Sequence, residues 1–330
     1  MRLQLEDYKA GILAGDRIVL ARAITLIESA LPEDQQLAGE VIDTVMAHAG
    51  NSLRMGITGA PGVGKSTFIE SFGKTLIHAG KKVAVLTIDP TSQITGGSIL
   101  GDKTRMHELA KEPRAFIRPS PSGQTLGGVA SHTRETILLC EAAGFDYIIV
   151  ETVGTGQSEY AVKNMVDFFL LLIQPGSGDV LQGIKKGIVE MADTIAVTKA
   201  DADNIKAARA TRADFQHALH MQQGQRSGWT PKVVACSSID GTGLSELRDL
   251  AEDFKSKLSA SGHFAANRRD QNTAWFRDHF HLLLSLDPNQ FPYVLEKEQA
   301  LKELVRTNHI SPRKAASELL QAYRQAIKQS

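Results

Sequence analysis

A chain of 330 residues, 42% hydrophobic and 22% charged, has the composition of an ordinary globular protein and excludes an intrinsically disordered one. It has room for about two domains of ~150 residues, or one large α/β domain with helical additions. Lys+Arg and Asp+Glu balance at 37 each, so charge gives no reason to expect nucleic acid or an acidic membrane as partner.

The opening MRLQLEDYKAGILAGD carries acidic residues and lacks the apolar core of a secretory signal. No run approaches the ~18 apolar residues of a membrane span, and a cytoplasmic protein is expected. Cys140 and Cys236 lie far apart and form no Cys-x-x-Cys pair, so two reduced, buried thiols are expected. Within 1–47, Leu20, Ile24, Ile27 and Leu31 share one helical face, and Leu37, Val41 and Val45 repeat at i, i+4, i+8, which predicts two or three helices.

From 53 to 238 short apolar runs alternate with amphipathic stretches. The runs are LRMGITG, KKVAVLTID, FDYIIVE, FFLLLIQ, TIAVTKAD and PKVVACSS. Apolar on nearly every residue, they predict parallel strands covered on both faces: an α/β fold, doubly wound around a mostly parallel sheet. After an amphipathic helix at 243–258, KSKLSASGHFAANRRDQ reads as a linker. Trp275, Phe276, Phe280, Leu282, Leu283 and Leu284 then form an apolar cluster in sequence. The last helix is announced by Ser311 as cap and Pro312 in its first position, with Ala315, Ala316, Leu319, Leu320, Tyr323 and Ile327 on its apolar face. The expected division is 1–47, 48–262 and 263–330.

The strongest motif is Gly59-Ala60-Pro61-Gly62-Val63-Gly64-Lys65-Ser66, a full G-x-x-x-x-G-K-[ST] followed by Thr67, placed between a predicted strand and a predicted helix. Glycines let backbone amides turn inward around a β-phosphate, the lysine reaches the β- and γ-phosphates, and the serine hydroxyl can ligate Mg²⁺. Ligands of open α/β sheets bind at the carboxyl ends of strands, and Asp89, Glu151 and the Thr198-Lys199-Ala200-Asp201 tetrad all fall there. Asp89 and Glu151 suit Mg²⁺, its waters or a hydrogen-bond network, or else cap a following helix.

Glu151-Thr152-Val153-Gly154 has the layout of a γ-phosphate sensor, D-x-x-G with one methylene added; the Gly154 amide would face the phosphate. No glutamine follows that glycine, and Gln157 stands three residues on, so slow intrinsic hydrolysis is expected. In the tetrad, Asp201 can accept two hydrogen bonds from guanine while the Lys199 stem covers the base. Thr198 stands where asparagine is usual. Cys236-Ser237-Ser238, ahead of Asp240-Gly241-Thr242-Gly243, would complete the base pocket, so GTP/GDP is expected over adenine nucleotides.

With GAPGVGKST, IDPTS, ILGDKTRM, PSPSGQTLGG, ETVGTGQSE, QPGSGD, TKAD and SPRKAA in place, nearly the whole chain resembles the MeaB/ArgK family of P-loop GTPases. The resemblance implies a homodimeric GTPase chaperone of adenosylcobalamin-dependent methylmalonyl-CoA mutase, with helical N- and C-terminal extensions on the GTPase domain. It places Ser66, Asp89, Asp102 and Glu151 around Mg²⁺, and Lys65, Asp102, Glu151 and Lys185 in the hydrolytic machinery. The segment from Gln174-Pro175-Gly176 to Lys185 resembles a third switch. Two alternatives stay open: a metal-delivery GTPase, which would want Cys-x-x-Cys or a His-rich tract, and a kinase, which would need an acceptor pocket and a base. His217 and His220 at i, i+3 are read as packed or solvated.

Overall fold

The computed structural model describes residues 3–88, 106–120, 126–152, 158–176, 186–220, 228–307 and 309–329. Three helices, α1 (Leu5–Leu13), α2 (Arg17–Ile27) and α3 (Pro32–Val45), precede the first strand, as their periodicity predicts. Asp16 starts α2 by accepting from the amides of Ile18 (2.7 Å) and Val19 (3.1 Å), which would otherwise lack partners. Leu31 departs from the expected face: it lies beyond α2 at the cap of α3 and is exposed.

Among the described residues seven strands follow, β1 (Leu53–Gly59), β2 (Val83–Ile88), β3 (Ala115–Ser120), β4 (Tyr147–Thr152), β5 (Phe168–Ile173), β6 (Thr194–Val197) and β7 (Lys232–Ala235). All pair in parallel in the order β3-β2-β4-β1-β5-β6-β7. The sequence reading expected six. β3, AFIRPS, was not among them because Arg118 and Pro119 interrupt its apolar run; both are tolerated on an edge strand.

The intervening helices are α4 (Lys65–His78), α5 (His107–Lys111), α6 (Leu126–Ala142), α7 (Ser158–Lys163), α8 (Lys186–Met191), α9 (Ile205–His220) and α10 (Leu244–Ala260). Alternation along the strands divides the core between two faces. Val83, Val85, Tyr147 and Ile149 pack with Phe68 and Phe72 of α4 and with Leu247 and Phe254 of α10. Ala84, Leu86, Ile148 and Val150 face the opposite layer, where Ile12, Leu20, Ile24 and Val41 of α1–α3 join Ile137 and Leu139 of α6. The N-terminal helices therefore share a core with the sheet. Each fully buried Ile or Leu there contributes about 1.5–3 kcal/mol.

Residues 255–271, expected as a linker, are helical. Only Ser261 and Gly262 (φ 74°) turn between α10 and α11 (His263–Leu286). The polar residues that suggested a loop anchor α11 instead. Arg268 donates to Asp167 at 2.8 and 2.6 Å, to the Ser52 carbonyl at 2.8 Å, and pairs with Glu141 at 3.2 Å. Glu141 also takes a two-pronged contact from Arg54 of β1, at 2.9 and 2.7 Å. This buried network sits at the amino ends of β1 and β5, away from the strand ends where the P-loop begins.

The chain falls into two compact units, Met1–Gln271 and Asn272–Ser330, and their division lies within α11. In the second unit α12 (Pro292–Arg306) and α13 (Pro312–Gln329) pack through Val294, Leu301, Ala315 and Ala322. Ser311 accepts from the Lys314 amide at 3.2 Å and Pro312 opens α13, as expected. The expected apolar cluster of α11 does not become core: Phe276 is 73% exposed, and Phe280, Leu283 and Leu284 are exposed as well. Among the described residues no helix is long and apolar enough to cross a membrane. Cys140 and Cys236 are buried free thiols, and burial pushes the Cys236 pKa up to about 12.

Candidate nucleotide site

β1 lies between β4 and β5 at the centre of the sheet, and its carboxyl end runs into the glycine-rich loop. Gly62 (φ 78°) and Gly64 (φ 95°) hold left-handed backbone that favours glycine, and Gly64 is the last residue before α4. Gly59 is required for another reason: a Cβ there would stand 2.6 Å from the carbonyl oxygen of Leu172 on β5. Val63 is buried and pins the loop to the core, whereas Ala60, Pro61 and Thr67 are exposed.

Lys65, first residue of α4, folds back over the loop and donates to the carbonyls of Gly59 (2.8 Å) and Ala60 (3.3 Å). Burial draws its pKa below the ordinary lysine value, and the charges of Glu151 and Glu159 oppose this only in part. Its neighbour Ser66 donates to Glu151 Oε1 at 3.4 Å, a long contact. Glu151 stands opposite Ile57 near the end of β4, only 8% exposed. Thr152 donates to Thr58 at 2.8 Å in the buried layer, tying β4 to β1 just below the loop. A lysine ammonium, a serine hydroxyl and a carboxylate thus meet at one strand end.

The tetrad after β6 closes on the same loop from the other side. The buried hydroxyl of Thr198 lies 3.0 Å from the Val63 carbonyl and 3.1 Å from that of Ile173. It can share its one proton between them. Lys199, in left-handed backbone (φ 53°), donates to the Gly62 carbonyl at 3.0 Å. Asp201 accepts from Ser237 Oγ at 2.5 Å, and that oxygen in turn accepts from the amides of Ile239 (3.1 Å) and Asp240 (3.3 Å). Ser238 is fixed through its carbonyl by Ser71 of α4 at 2.7 Å. The turn beyond needs Gly243 (φ 76°), where a Cβ would fall 2.3 Å from the Ala235 carbonyl. One carboxylate oxygen of Asp201 is thereby held beside the 237–243 turn.

The P-loop residues, Glu151, Thr198, Lys199, Asp201, Ser237 and Ser238 therefore come together. Asp89, Asp102, Gly154 and Lys185, and with them Gln157, lie outside the described residues. Two further side chains join this site: Glu159, which had no role assigned from sequence, and Gln174, which the sequence marked only as the start of the third-switch segment. Gln174, immediately after β5, donates to the Gly62 carbonyl at 2.7 Å. Glu159, in the first turn of α7, is 1% exposed and close enough for its charge to act on Lys65. Neither gives a periodic signal, because both follow strand ends in polar strings. His217 is exposed on α9. Among the described residues no cluster of three or more His, Cys, Asp or Glu could hold a metal ion.

Comparison with known proteins decides the family. The profile described as "Methylmalonyl Co-A mutase-associated GTPase MeaB" matches residues 20–285. The chain belongs to the MeaB family. The GTPase ArgK of Escherichia coli is 50% identical to this MeaB-family chain over 263 residues, covering 80% of each. The mouse protein called methylmalonic aciduria type A homolog, mitochondrial, is 43% identical over 324 residues, covering 95% of this chain and 78% of its own. A crystal structure described as LAO/AO transport system kinase matches with a TM-score of 0.73 at 38% identity, covering 96% of both chains. The MeaB-family chain is accordingly a P-loop GTPase that binds GTP and GDP and hydrolyses GTP.

Proposed function

We propose that this GTPase is a slow nucleotide switch and the chaperone of an adenosylcobalamin-dependent methylmalonyl-CoA mutase, gating cofactor loading and protecting or reactivating the enzyme. The observation that carries this reading is the double hold on the Gly62 carbonyl. Gln174 and Lys199 both grip the P-loop there, at 2.7 and 3.0 Å, and Gln174 is the residue that leads into the 175–185 segment. Phosphates entering the loop compete with Lys65's own backbone contacts and rearrange the loop those side chains hold. The family description and the mouse relative's name support a mutase as partner.

In this reading Lys65 leaves the carbonyls of Gly59 and Ala60 to neutralise the β- and γ-phosphates. Asp201, oriented by Ser237, accepts from guanine, and Lys199 covers the ring. The Ser66 hydroxyl and the Glu151 carboxylate are hard oxygen donors suited to Mg²⁺. They would hold the ion with Asp89 and Asp102, and when bound it would neutralise charge developing on the phosphate oxygens. Gly154 senses the γ-phosphate and Lys185 contacts nucleotide or switch residues. The absence of glutamine after Gly154 keeps unassisted hydrolysis slow.

The rest of the scheme assigns 1–47 as N-terminal helical extension, 48–262 as GTPase domain and 263–330 as the dimerisation region of a cytoplasmic homodimer. The exposed apolar residues of α11 support the last assignment. The function is tested by following mutase activity over time with GTP and wild-type chain or Lys65→Ala. Wild type should slow inactivation and the variant should not; equal protection by both would contradict the switch.

A further inference from the structure

One edge of the sheet carries a feature the nucleotide site does not use. Among the described residues β3 is the outermost strand, paired only with β2. Beside it runs an open groove of 690 Å³, walled by α2 on one side and by Ala110 of α5 on the other. Its floor includes Phe116 and Ile117, successive β3 residues whose side chains belong to opposite faces of the sheet. The groove therefore follows the strand edge itself. Of β3 it takes in Phe116, Ile117 and Arg118, a run of ~10 Å that a few residues of an extended peptide would match.

Three arginines line it: Arg17, Arg22 and Arg118. Arg118 pairs with Glu28 and lies 3.3 Å from Thr25 Oγ1, yet its buried Nε has no acceptor among the described residues. Arg17 makes one long contact, to the Glu112 carbonyl at 3.4 Å. Neither Arg17 nor Arg22 is matched with a carboxylate among the described residues, and both are exposed. Ile18, between them in sequence and on the same groove, is 68% exposed. Cationic rim and apolar floor beside an edge strand suit an extended acidic segment; the Ala115 amide already donates to the Glu112 carbonyl at 3.0 Å, so main-chain pairing would centre on Ile117, with side chains giving selectivity.

We propose that this groove docks an extended acidic segment of a partner protein, laid beside β3 with its carboxylates on Arg17, Arg22 and Arg118. Pro119 ends the pairing at the carboxyl end of the strand, since it has no amide to donate. An open groove favours a peptide over a small anion, which would want a closed pocket. The proposal does not depend on a mutase being the partner.

The test titrates the full chain with a fluorescein-labelled peptide of about ten residues, alternating glutamate and valine, and follows anisotropy at low salt. The acidic peptide should bind saturably, and its lysine–valine counterpart should not. Arg17→Glu/Arg22→Glu should weaken binding at least about tenfold, as should N-methylation of alternate peptide amides. GTP turnover of the double variant should match wild type, because neither arginine touches the P-loop. Absence of binding, equal binding of the lysine peptide, or indifference to either change would overturn the proposal. So would binding of inorganic pyrophosphate to these arginines in place of the peptide, which would make the groove a small-anion site.

Discussion

The Thr198 hydroxyl bridges two carbonyls, Val63 of the P-loop at 3.0 Å and Ile173 of β5 at 3.1 Å. A threonine at the head of the 198–201 tetrad therefore holds the glycine-rich loop to the strand beside it. Thr198→Val keeps the shape and removes the donor, leaving the Val63 carbonyl without it. The expected cost is about 1–3 kcal/mol of stability, with a several-fold loss of GTP affinity. Thr198→Asn retains a donor and should lie closer to wild type. Urea unfolding and calorimetric titration measure the two effects; a Thr198→Val protein as stable as wild type would show that the bridge contributes nothing.

Lys65 gives the site a pH dependence whose sign follows from its surroundings. Burial lowers its pKa from 10.5 in the nucleotide-free protein, so it loses its proton earlier than an ordinary lysine as pH rises. Phosphates bind the charged form. GTP affinity should therefore be level at neutral pH and fall as pH rises through the lowered pKa, in the window below 10.5. Folding runs the opposite way: the unfolded chain keeps this proton longer, so Lys65's unfavourable contribution to stability eases across the same window. Lys65→Arg, charged throughout, should lack the part of this decline that Lys65 causes and keep only the part from loss of the guanine N1 proton. A wild-type affinity unchanged up to 10.5 would contradict the lowered pKa.

Arg268 is a stability residue by its position. Arg268→Ala leaves Asp167 without its two-pronged partner and Glu141 with Arg54 as its one cation beside the Gly50 amide, both carboxylates buried. The loss should be about 3–5 kcal/mol in chemical denaturation. GTP turnover per folded molecule should hold near wild type, since the network lies at the opposite strand ends. A variant fully stable but impaired in turnover would reverse this assignment.

The parts of the fold that could be read from sequence are those with a local cause. The P-loop announces itself through glycines that must turn or approach a neighbour closely, and Ser311-Pro312 through capping chemistry. β3 was hidden because Arg118 and Pro119 break its apolar run, and an edge strand needs no such run. Residues 255–271 look like a loop in composition, yet Arg268 finds its acids just before β5 and on α6, far away in sequence. The same holds for Thr198 and Gln174. Their roles rest on carbonyls of Val63 and Gly62, and backbone acceptors leave no mark in a sequence. Glu151 was visible as a carboxylate at a strand end; its contact with Ser66 required the β1–β4 pairing to be known.

The central claim is that nucleotide state is reported to a mutase. The most direct measurement is the affinity of the purified chain for adenosylcobalamin-dependent methylmalonyl-CoA mutase, with a non-hydrolysable GTP analogue and with GDP. A difference of about tenfold or more, equivalent to about 1.4 kcal/mol of coupling, is predicted, and Lys65→Ala should abolish it. Equal affinity in the two states, or no association in either, would contradict the account.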